Sequence, residues 1–123
     1  MIAGIGIDLV SIARMAGKIK DHSFKEKVFS KVEQEYCDSC TQQAQHYAVR
    51  FAAKEAFLKA TGKGLAAGHD LKDIEISNDA GGKPIVILRG SFKEMNSKER
   101  WSSIHISLSH EGDQAVAIVI IEK

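Results

Sequence analysis

The chain has 123 residues, of which 17 are Lys or Arg and 16 are Asp or Glu, so its formal net charge is +1. This length fits one domain, residues 1–123, and an apolar fraction of 44% excludes a disordered chain. The balanced charge argues against nucleic-acid binding, and no apolar run approaches the ~20 residues that span a membrane. Residues 1–4 lack the pattern of a signal peptide and there are two cysteines, which predicts a cytoplasmic protein.

The N-terminal half predicts one strand followed by helices. Over residues 2–9, apolar side chains alternate with Gly4, Gly6 and Asp8, which is typical of a strand with one apolar and one nearly bare face. Ser11 is the expected N-cap of a helix over residues 12–20. Further helical segments are predicted over residues 24–29, 31–39 and 43–61, the last of which ends at Gly62.

The C-terminal half predicts hairpins. Strands are expected over residues 73–77 and 84–88, around a glycine-containing turn, and over residues 103–109 and 114–121. The last of these is continuously apolar, which is typical of a central buried strand. Ser91 is expected to open a short helix through a capping box. Helices first and hairpins later predict an α+β fold in which a mostly antiparallel sheet packs against the long helix.

Glu55 is a candidate functional residue because it lies in an apolar arc of the long helix. At about 100° per residue, several Ala, Phe and Leu side chains fall near Glu55, whereas Arg50 and Lys54 mark the expected polar face. Lys59 lies one turn further on the same arc. A salt bridge between Glu55 and Lys59 contributes only about 0.2–0.5 kcal/mol, which does not explain two charges on an apolar face. A bound metal or phosphate does explain them.

Asp8 is the second candidate, at the end of the first strand on the face that carries the glycines. One interpretation is a cap for the next helix, and the other is a metal ligand. Asp8 and Glu55 together suit Mg²⁺, which takes one or two carboxylates and completes its shell with waters and phosphates. Lys59 beside them suits a phosphoryl oxygen. The spacings of a P-loop and of a dinucleotide-binding fingerprint are both missing.

Other chemistry-bearing residues have simpler interpretations. Cys37 and Cys40 form a CxxC motif without a second ligand pair at zinc spacing, which favours two reduced cysteines. His110 ends a strand at a turn, where a ligand contact and a local hydrogen bond both fit. Residues 14–31 carry six basic and two acidic side chains, a local charge of 6 − 2 = +4. This segment is either a solvated face or a surface for an acidic partner beside Asp8.

In seven segments the sequence resembles the small bacterial branch of the phosphopantetheinyl transferases, the holo-(acyl-carrier-protein) synthases. The matching segments, in order and spacing, are residues 4–10, 14, 50–60, 62–64, 73–76, 82–84 and 106–110. The resemblance covers essentially the whole chain and implies a phosphopantetheinyl transferase-like fold. It also implies transfer of the 4'-phosphopantetheine group of coenzyme A to a serine of apo acyl carrier protein, with release of 3',5'-ADP, in fatty acid biosynthesis.

The resemblance implies a role for each matching residue. Asp8 and Glu55 are expected to bind Mg²⁺ and, with Lys59, to be catalytic. The expected CoA-binding residues are Arg50, Lys54, Gly62, Gly64, Lys83, Pro84 and His110, the last three at the adenine and 3'-phosphate end. Arg14 and Lys18 are expected to bind the acidic recognition helix of the carrier protein. Relatives often carry Lys or Arg just before the long helix, but residues 41–43 here are uncharged, which leaves the contacts of the 3'-phosphate unassigned.

Small members of this family are homotrimers with active sites between subunits, so the resemblance also implies a homotrimer. Two other functions fit the same residues. One is a metal-dependent phosphohydrolase that acts on nucleotides or CoA with water as the acceptor, although the +4 segment then has no purpose. The other is a non-catalytic oligomeric binding module in which Glu55 and Lys59 form a buried interface pair.

Overall fold

The computed structural model describes residues 1–66 and 68–123. The elements, in chain order, are β1 Ile2–Ser11, α1 Ile12–Lys18, α2 His22–Val28, α3 Lys31–Ser39, α4 Gln43–Thr61, β2 Ile74–Asn78, β3 Pro84–Leu88, α5 Gly90–Glu99, β4 Ser103–Glu111 and β5 Gln114–Glu122, with a short 3-10 turn at Leu71–Asp73 before β2. The α+β prediction is confirmed. Within the described ranges, none of these helices is both long and apolar enough to cross a membrane.

The strands form two antiparallel sheets. The larger has the order β1-β5-β4, and the smaller is the β2-β3 hairpin. Ile118 of β5 pairs with Ile7 of β1 on one side and with Ser107 of β4 on the other. The predicted central position of β5 is therefore confirmed, because its ladder hydrogen bonds are satisfied on both edges.

The nearly bare face of β1 receives the backbone of α4. A Cβ atom built on Gly4 would lie 1.8 Å from the carbonyl oxygen of Ala60, and one built on Gly6 would lie 1.8 Å from that of Ala56. Only glycine permits so close an approach of strand and helix. The main hydrophobic core forms where α4 meets the sheet, around fully buried side chains such as Phe57.

The opposite face of the large sheet is uncovered in the single chain; it is apolar on β1 and β5, whereas β4 contributes polar residues such as His105, Ser107 and Ser109. On β1, Ile5 and Ile7 are each 57% exposed and Leu9 is 63% exposed. The register places β5 residues of the same character beside them. We call this surface the open face; it consists of Ile5, Ile7, Leu9, Val116, Ile118 and Ile120. A contiguous exposed apolar surface of this kind marks an interaction site.

Local sequence signals predicted some helix ends correctly and others wrongly. The Ser11 hydroxyl accepts a hydrogen bond from the Arg14 N–H at 3.2 Å, as expected for the N-cap of α1. Gly62 ends α4 in the left-handed conformation, with φ 72°. The capping box expected at Ser91 is wrong, because α5 begins at Gly90 and the Ser91 hydroxyl contacts the His69 ring instead.

The expected polar face of α4 is also wrong. Arg50 is only 4% exposed and Lys54 is completely buried, because α3 and β2 cover this side of the helix. The Lys54 ammonium donates to the Glu33 carboxylate at 2.8 Å and to the carbonyl oxygens of Leu71 at 3.0 Å and Ile74 at 2.5 Å. A buried charge that is paired and hydrogen-bonded in this way does not need solvent.

Candidate active site

Asp8 and Glu55 line one cleft of about 270 Å³ between β1, α1 and α4. We call it the acidic cleft. Gly4 lies against Ala60 and Gly6 against Ala56, so two residues forward along β1 correspond to four residues backward along α4. Those steps are about 6.6 Å and about 6 Å, respectively, so strand and helix stay in contact up to Asp8. The glycine contacts thus bring the Asp8 carboxylate, three residues before the end of β1, beside the middle of α4.

Lys59 is linked to this cleft by an ion pair with Asp8. Its ammonium donates to the Asp8 carboxylate at 3.0 Å and to the Ile7 carbonyl oxygen at 2.9 Å. Among the described residues its ion pair is with Asp8 and not with Glu55, so the intrahelical pair considered from the sequence is not formed. Its side chain is 56% exposed, which corrects its expected place on an apolar arc. The positive charge therefore lies at the mouth of the cleft.

The two carboxylates act on each other. Partial burial raises the pKa of Glu55, the negative charge of Asp8 raises this pKa further, and Lys59 and Lys18 oppose the rise. A cation bound between the carboxylates would remove this repulsion, so the pair fits a divalent metal. Among the described residues, no group of three or more His, Cys, Asp and Glu side chains is placed to hold a metal. Two carboxylates alone suit an ion such as Mg²⁺, which takes its other ligands from water and phosphate.

A second pocket, of about 390 Å³, continues from the acidic cleft through Glu55 and Lys59. Its far side is the loop after α4, where Gly62 and Gly64 both have positive φ, 72° and 67°. Glycine adopts this backbone conformation without strain, so the chain turns back and leaves room above Lys59. The structure thus brings the two predicted glycines next to the catalytic candidates.

Three other predicted CoA-binding residues lie together elsewhere. Arg50, Pro84 and His110 line a separate pocket of about 230 Å³, which also contains His46 and Gln45. We call it the histidine pocket. Arg50 and Glu55 point about 140° apart around the axis of α4, so the histidine pocket and the acidic cleft are on different sides of the helix. One chain alone does not join them.

The remaining CoA-binding candidates occupy different environments. Lys54 has no free donor for a ligand, because its buried ammonium binds Glu33 and two carbonyl oxygens. The structure therefore contradicts the expected role of Lys54 in CoA binding. Lys83 is exposed and its backbone N–H binds Asp79. It lies next to Pro84 in the chain, at the edge of the histidine pocket.

The basic side chains of α1 stand at the rim of the acidic cleft. Arg14 and Lys18 are exposed and both line the cleft. The Lys18 ammonium lies 5.6 Å from the ring centre of Phe24 and 5.5 Å from that of Phe51, within range of cation–π attraction. The rim therefore combines positive charge with two partly buried aromatic rings beside Asp8.

The sequence did not predict that His46 lies in the histidine pocket or that Arg50 is buried. Their four-residue spacing was an available signal, because residues four apart share a helix face.

The cysteine interpretation agrees with the structure: Cys37 and Cys40 are free, and burial raises the pKa of Cys37 to about 12. A thiol with such a pKa stays protonated and is a poor metal ligand or nucleophile.

Residues 4–119 match the 4'-phosphopantetheinyl transferase superfamily. A holo-[acyl-carrier-protein] synthase of Syntrophus aciditrophicus is 48% identical over 124 residues, 99% of this chain and 97% of its own length. The crystal structure of the holo-[acyl-carrier-protein] synthase from Neisseria meningitidis superposes with a TM-score of 0.92 at 33% identity and covers both chains completely. That of the Helicobacter pylori enzyme, in complex with coenzyme A, gives 0.83 at 32% identity and covers 96% of this chain and 99% of its own. This chain therefore belongs to the 4'-phosphopantetheinyl transferase superfamily.

Proposed function

We propose that this protein transfers the 4'-phosphopantetheine group of coenzyme A to a serine hydroxyl of an apo acyl carrier protein and releases 3',5'-ADP. The observation that carries the proposal is the acidic cleft, where Asp8 and Glu55 meet the Lys59 ammonium under a basic rim. Relatives of 42–48% identity that carry the name of this activity, and the Helicobacter pylori complex with coenzyme A, support it.

The proposed reaction is a phosphoryl transfer within this cleft. The serine hydroxyl loses its proton and its oxygen forms a bond to the phosphorus that bears the pantetheine arm. The bond from that phosphorus to the bridging pyrophosphate oxygen breaks, and this oxygen leaves as part of 3',5'-ADP. Asp8 and Glu55 would hold Mg²⁺, which would supply positive charge to the pyrophosphate oxygens. Lys59 adds an ammonium at the mouth of the cleft, where it neutralises a phosphate oxygen. Gly62 and Gly64 leave room for the substrate above Lys59.

The carrier protein docks at the basic rim. Arg14 and Lys18 are exposed beside Asp8, so an acidic helix that binds them brings its neighbouring serine to the cleft. Opposite charges across an interface speed association and fix the orientation of the partners. This role gives the +4 segment a purpose that a phosphohydrolase would not need.

We further propose that three copies form the active enzyme. The open face of each chain is apolar and available for contact with another copy. The acidic cleft and the histidine pocket lie on different sides of α4, so one CoA reaches both only if two subunits contribute them. Arg50, Pro84 and His110 then hold the adenine and 3'-phosphate end, with Lys83 at the pocket edge.

We propose that the reaction takes place in the cytoplasm and belongs to fatty acid biosynthesis. Both cysteines are free, which suits a reducing compartment. Acyl carrier protein, the proposed acceptor, serves that pathway.

The experiment that tests the function is incubation with CoA, Mg²⁺ and apo acyl carrier protein, followed by mass spectrometry of the carrier. We expect the mass gain of one phosphopantetheine group. Glu55→Gln removes the charge but keeps the volume, so we expect the rate to fall by at least about 100-fold while the protein stays folded. The control is Glu35→Gln, an exposed glutamate on α3 that we expect to leave the rate unchanged.

Three results would contradict the proposal. The first is no mass gain under varied metal and carrier conditions. The second is cleavage of CoA at the same rate without any carrier protein, which a phosphohydrolase would show. The third is the absence of both CoA and Mg²⁺ binding in equilibrium dialysis, as for a non-catalytic module.

A further inference from the structure

Helix α1 carries the two side chains proposed to bind the carrier protein, but it is too short to hold its own place. It spans seven residues, Ile12–Lys18, and isolated helices shorter than about 12 residues are marginal in water. Met15, which is 1% exposed, anchors one face of α1 to the core. Arg14 and Lys18 are exposed at the rim of the acidic cleft. Contacts from outside the helix must therefore fix its start.

The turn between β4 and β5 supplies those contacts through Asp113. Its backbone carbonyl oxygen accepts the Ile12 N–H at 2.9 Å, and its Oδ1 accepts the Ala13 N–H at 2.7 Å. Its Oδ2 accepts the Ser11 hydroxyl at 2.7 Å, and the same hydroxyl accepts the Arg14 N–H at 3.2 Å. The first N–H groups of a helix have no partner within it, so Asp113 satisfies three of them, directly or through Ser11.

Asp113 also places a negative charge at the positive end of α1. The Ser11 hydroxyl and the Ala13 N–H hold the pKa of Asp113 below its ordinary value, so this carboxylate is ionised at neutral pH. Hydrogen bonds to an ionised acceptor are stronger than those to a neutral one, and a carboxylate is favoured at a helix N-terminus. The bond to Ala13 joins residues 100 apart in the sequence, so the start of α1 depends on a distant turn.

These contacts lie at the joint between β1 and α1. Ser11 is the last residue of β1 and pairs with Gln114 of β5, the residue after Asp113. Ser11 also lines the acidic cleft together with Asp8 and Arg14. A shift of the helix start would therefore carry Arg14 away from Asp8. The angle at which α1 leaves the strand thus depends on Asp113.

We propose that Asp113 is a positioning residue for the carrier protein, which holds the start of α1 so that Arg14 and Lys18 keep their places beside the acidic cleft. The inference rests on the proposed function, because it assumes that the carrier docks at this rim. Among the described residues, those that line the cleft do not include Asp113, so it acts through α1 and not by contact with the reacting groups. Binding of the carrier should depend on it, whereas CoA binding and the chemical step should not.

The test is steady-state kinetics of the full-length protein with Mg²⁺, in which apo carrier protein and CoA are varied separately and the mass gain of the carrier is measured. Asp113→Ala removes both carboxylate acceptors, and Asp113→Asn keeps one oxygen for the Ala13 N–H. The control is Glu111→Ala, which removes the same charge from an exposed residue at the end of β4. Thermal unfolding of each variant shows whether it is folded.

We expect Asp113→Ala to raise the KM for the carrier about five- to tenfold, the effect of one lost helix N-cap, and to leave kcat and the KM for CoA within about twofold of the wild type. Asp113→Asn should raise the carrier KM about threefold, because one acceptor remains. A charge effect alone has the opposite sign, since removal of a negative charge favours an acidic partner. Glu111→Ala should therefore leave the carrier KM unchanged or slightly lower.

A double-variant cycle tests whether Asp113 acts through the basic rim. When Arg14→Ala and Lys18→Ala are already present, Asp113→Ala should change kcat/KM for the carrier much less than it does in the wild type, because the side chains that it positions are gone. Additive effects of the two sets of changes would show that Asp113 acts independently of the rim and would overturn the inference.

Three kinetic results would also overturn it and leave the proposed function intact. They are an unchanged carrier KM in the folded Asp113→Ala protein, an equal rise of KM for both substrates, and a lower kcat with both KM values unchanged, which a mere loss of folded enzyme produces. If Asp113→Ala does not fold, Asp113→Asn decides by the same measurements. Failure of the proposed function looks different, because the wild type then adds no mass to the carrier protein.

Discussion

Lys54 carries its charge in a place from which water is excluded. Burial lowers its pKa, and the adjacent Glu33 carboxylate opposes that change. Glu33 in turn accepts the N–H groups of Ser30 at 2.8 Å and Ile76 at 2.9 Å. The ion pair of Lys54 and Glu33 therefore connects α3, α4 and β2. Lys54 precedes Glu55 in the sequence, but neither member of the pair lines the acidic cleft.

We predict that Lys54→Met lowers the free energy of unfolding by about 3–5 kcal/mol, because Glu33 is left as an unpaired buried charge. Urea denaturation measures the change. The double variant Lys54→Met with Glu33→Gln should recover part of the loss, since the buried charge is gone. The exposed Lys72→Met serves as the control. A Lys54→Met protein of wild-type stability that no longer binds CoA would contradict the structural role and restore a role in substrate binding.

At the scale of elements, the contact between β1 and α4 positions the site. Gly4 and Gly6 let the helix backbone touch the strand, and this contact sets how far Asp8 lies from Glu55. Any side chain at either glycine must push the helix away. Stability and catalysis therefore depend on the same close approach.

We predict that Gly6→Ala destabilises the protein by about 3 kcal/mol or more, because its Cβ would lie 1.8 Å from the Ala56 carbonyl oxygen and 2.7 Å from the Ala60 nitrogen. Activity per folded molecule should fall with it, since the carboxylates separate. Gly17→Ala in α1 is the matched control, because nothing lies within 4 Å of its added Cβ. That change should raise stability by about 0.8–1 kcal/mol, as measured by chemical denaturation. Equal stability of the Gly6→Ala protein and the wild type would refute the packing argument.

Local patterns predicted most elements, but they did not predict what covers each face. Alternation and caps located β1, α3 and α4, and the Ser11 and Gly62 signals act within a few residues of themselves. A rule that turns the apolar side of a strand inward gives the wrong orientation for β1, whose glycine side meets α4. Burial of a charged side chain depends on a partner far along the chain, as for Lys54 and Glu33, which are 21 residues apart.

The candidate site, too, was predicted in part from local patterns, whereas its tertiary contacts were not. Helix periodicity for Glu55, and the position of Asp8 at the end of the glycine face of the first predicted strand, suggested a metal-binding pair, and the structure brings the two carboxylates into one cleft. The pairing of Lys59 with Asp8 and the grouping of His46 with His110 are tertiary contacts across 51 and 64 residues of sequence. No periodicity within one element reports such contacts.

At the scale of the whole molecule, the open face and the separated pockets lead to the same expectation. Apolar side chains that are more than half exposed on β1 favour association, and the acidic cleft and the histidine pocket are separate in one chain, as expected if two subunits complete the proposed CoA site. The assembly should therefore be required for activity and not only for stability.

We predict that light scattering of the eluting wild-type protein gives a mass of about three times the 13.5 kDa of the single chain. Ile5→Lys puts a charge on the open face, at a position that is 57% exposed in the single chain, so it should shift the protein to the monomer. Carrier modification should fall in proportion, because no active site is then complete. Val32→Lys is the matched control, a 50% exposed apolar residue on α3 away from the sheet, and should leave mass and activity unchanged. A monomeric wild type with full activity, or a fully active monomeric Ile5→Lys protein, would show that one chain holds CoA alone.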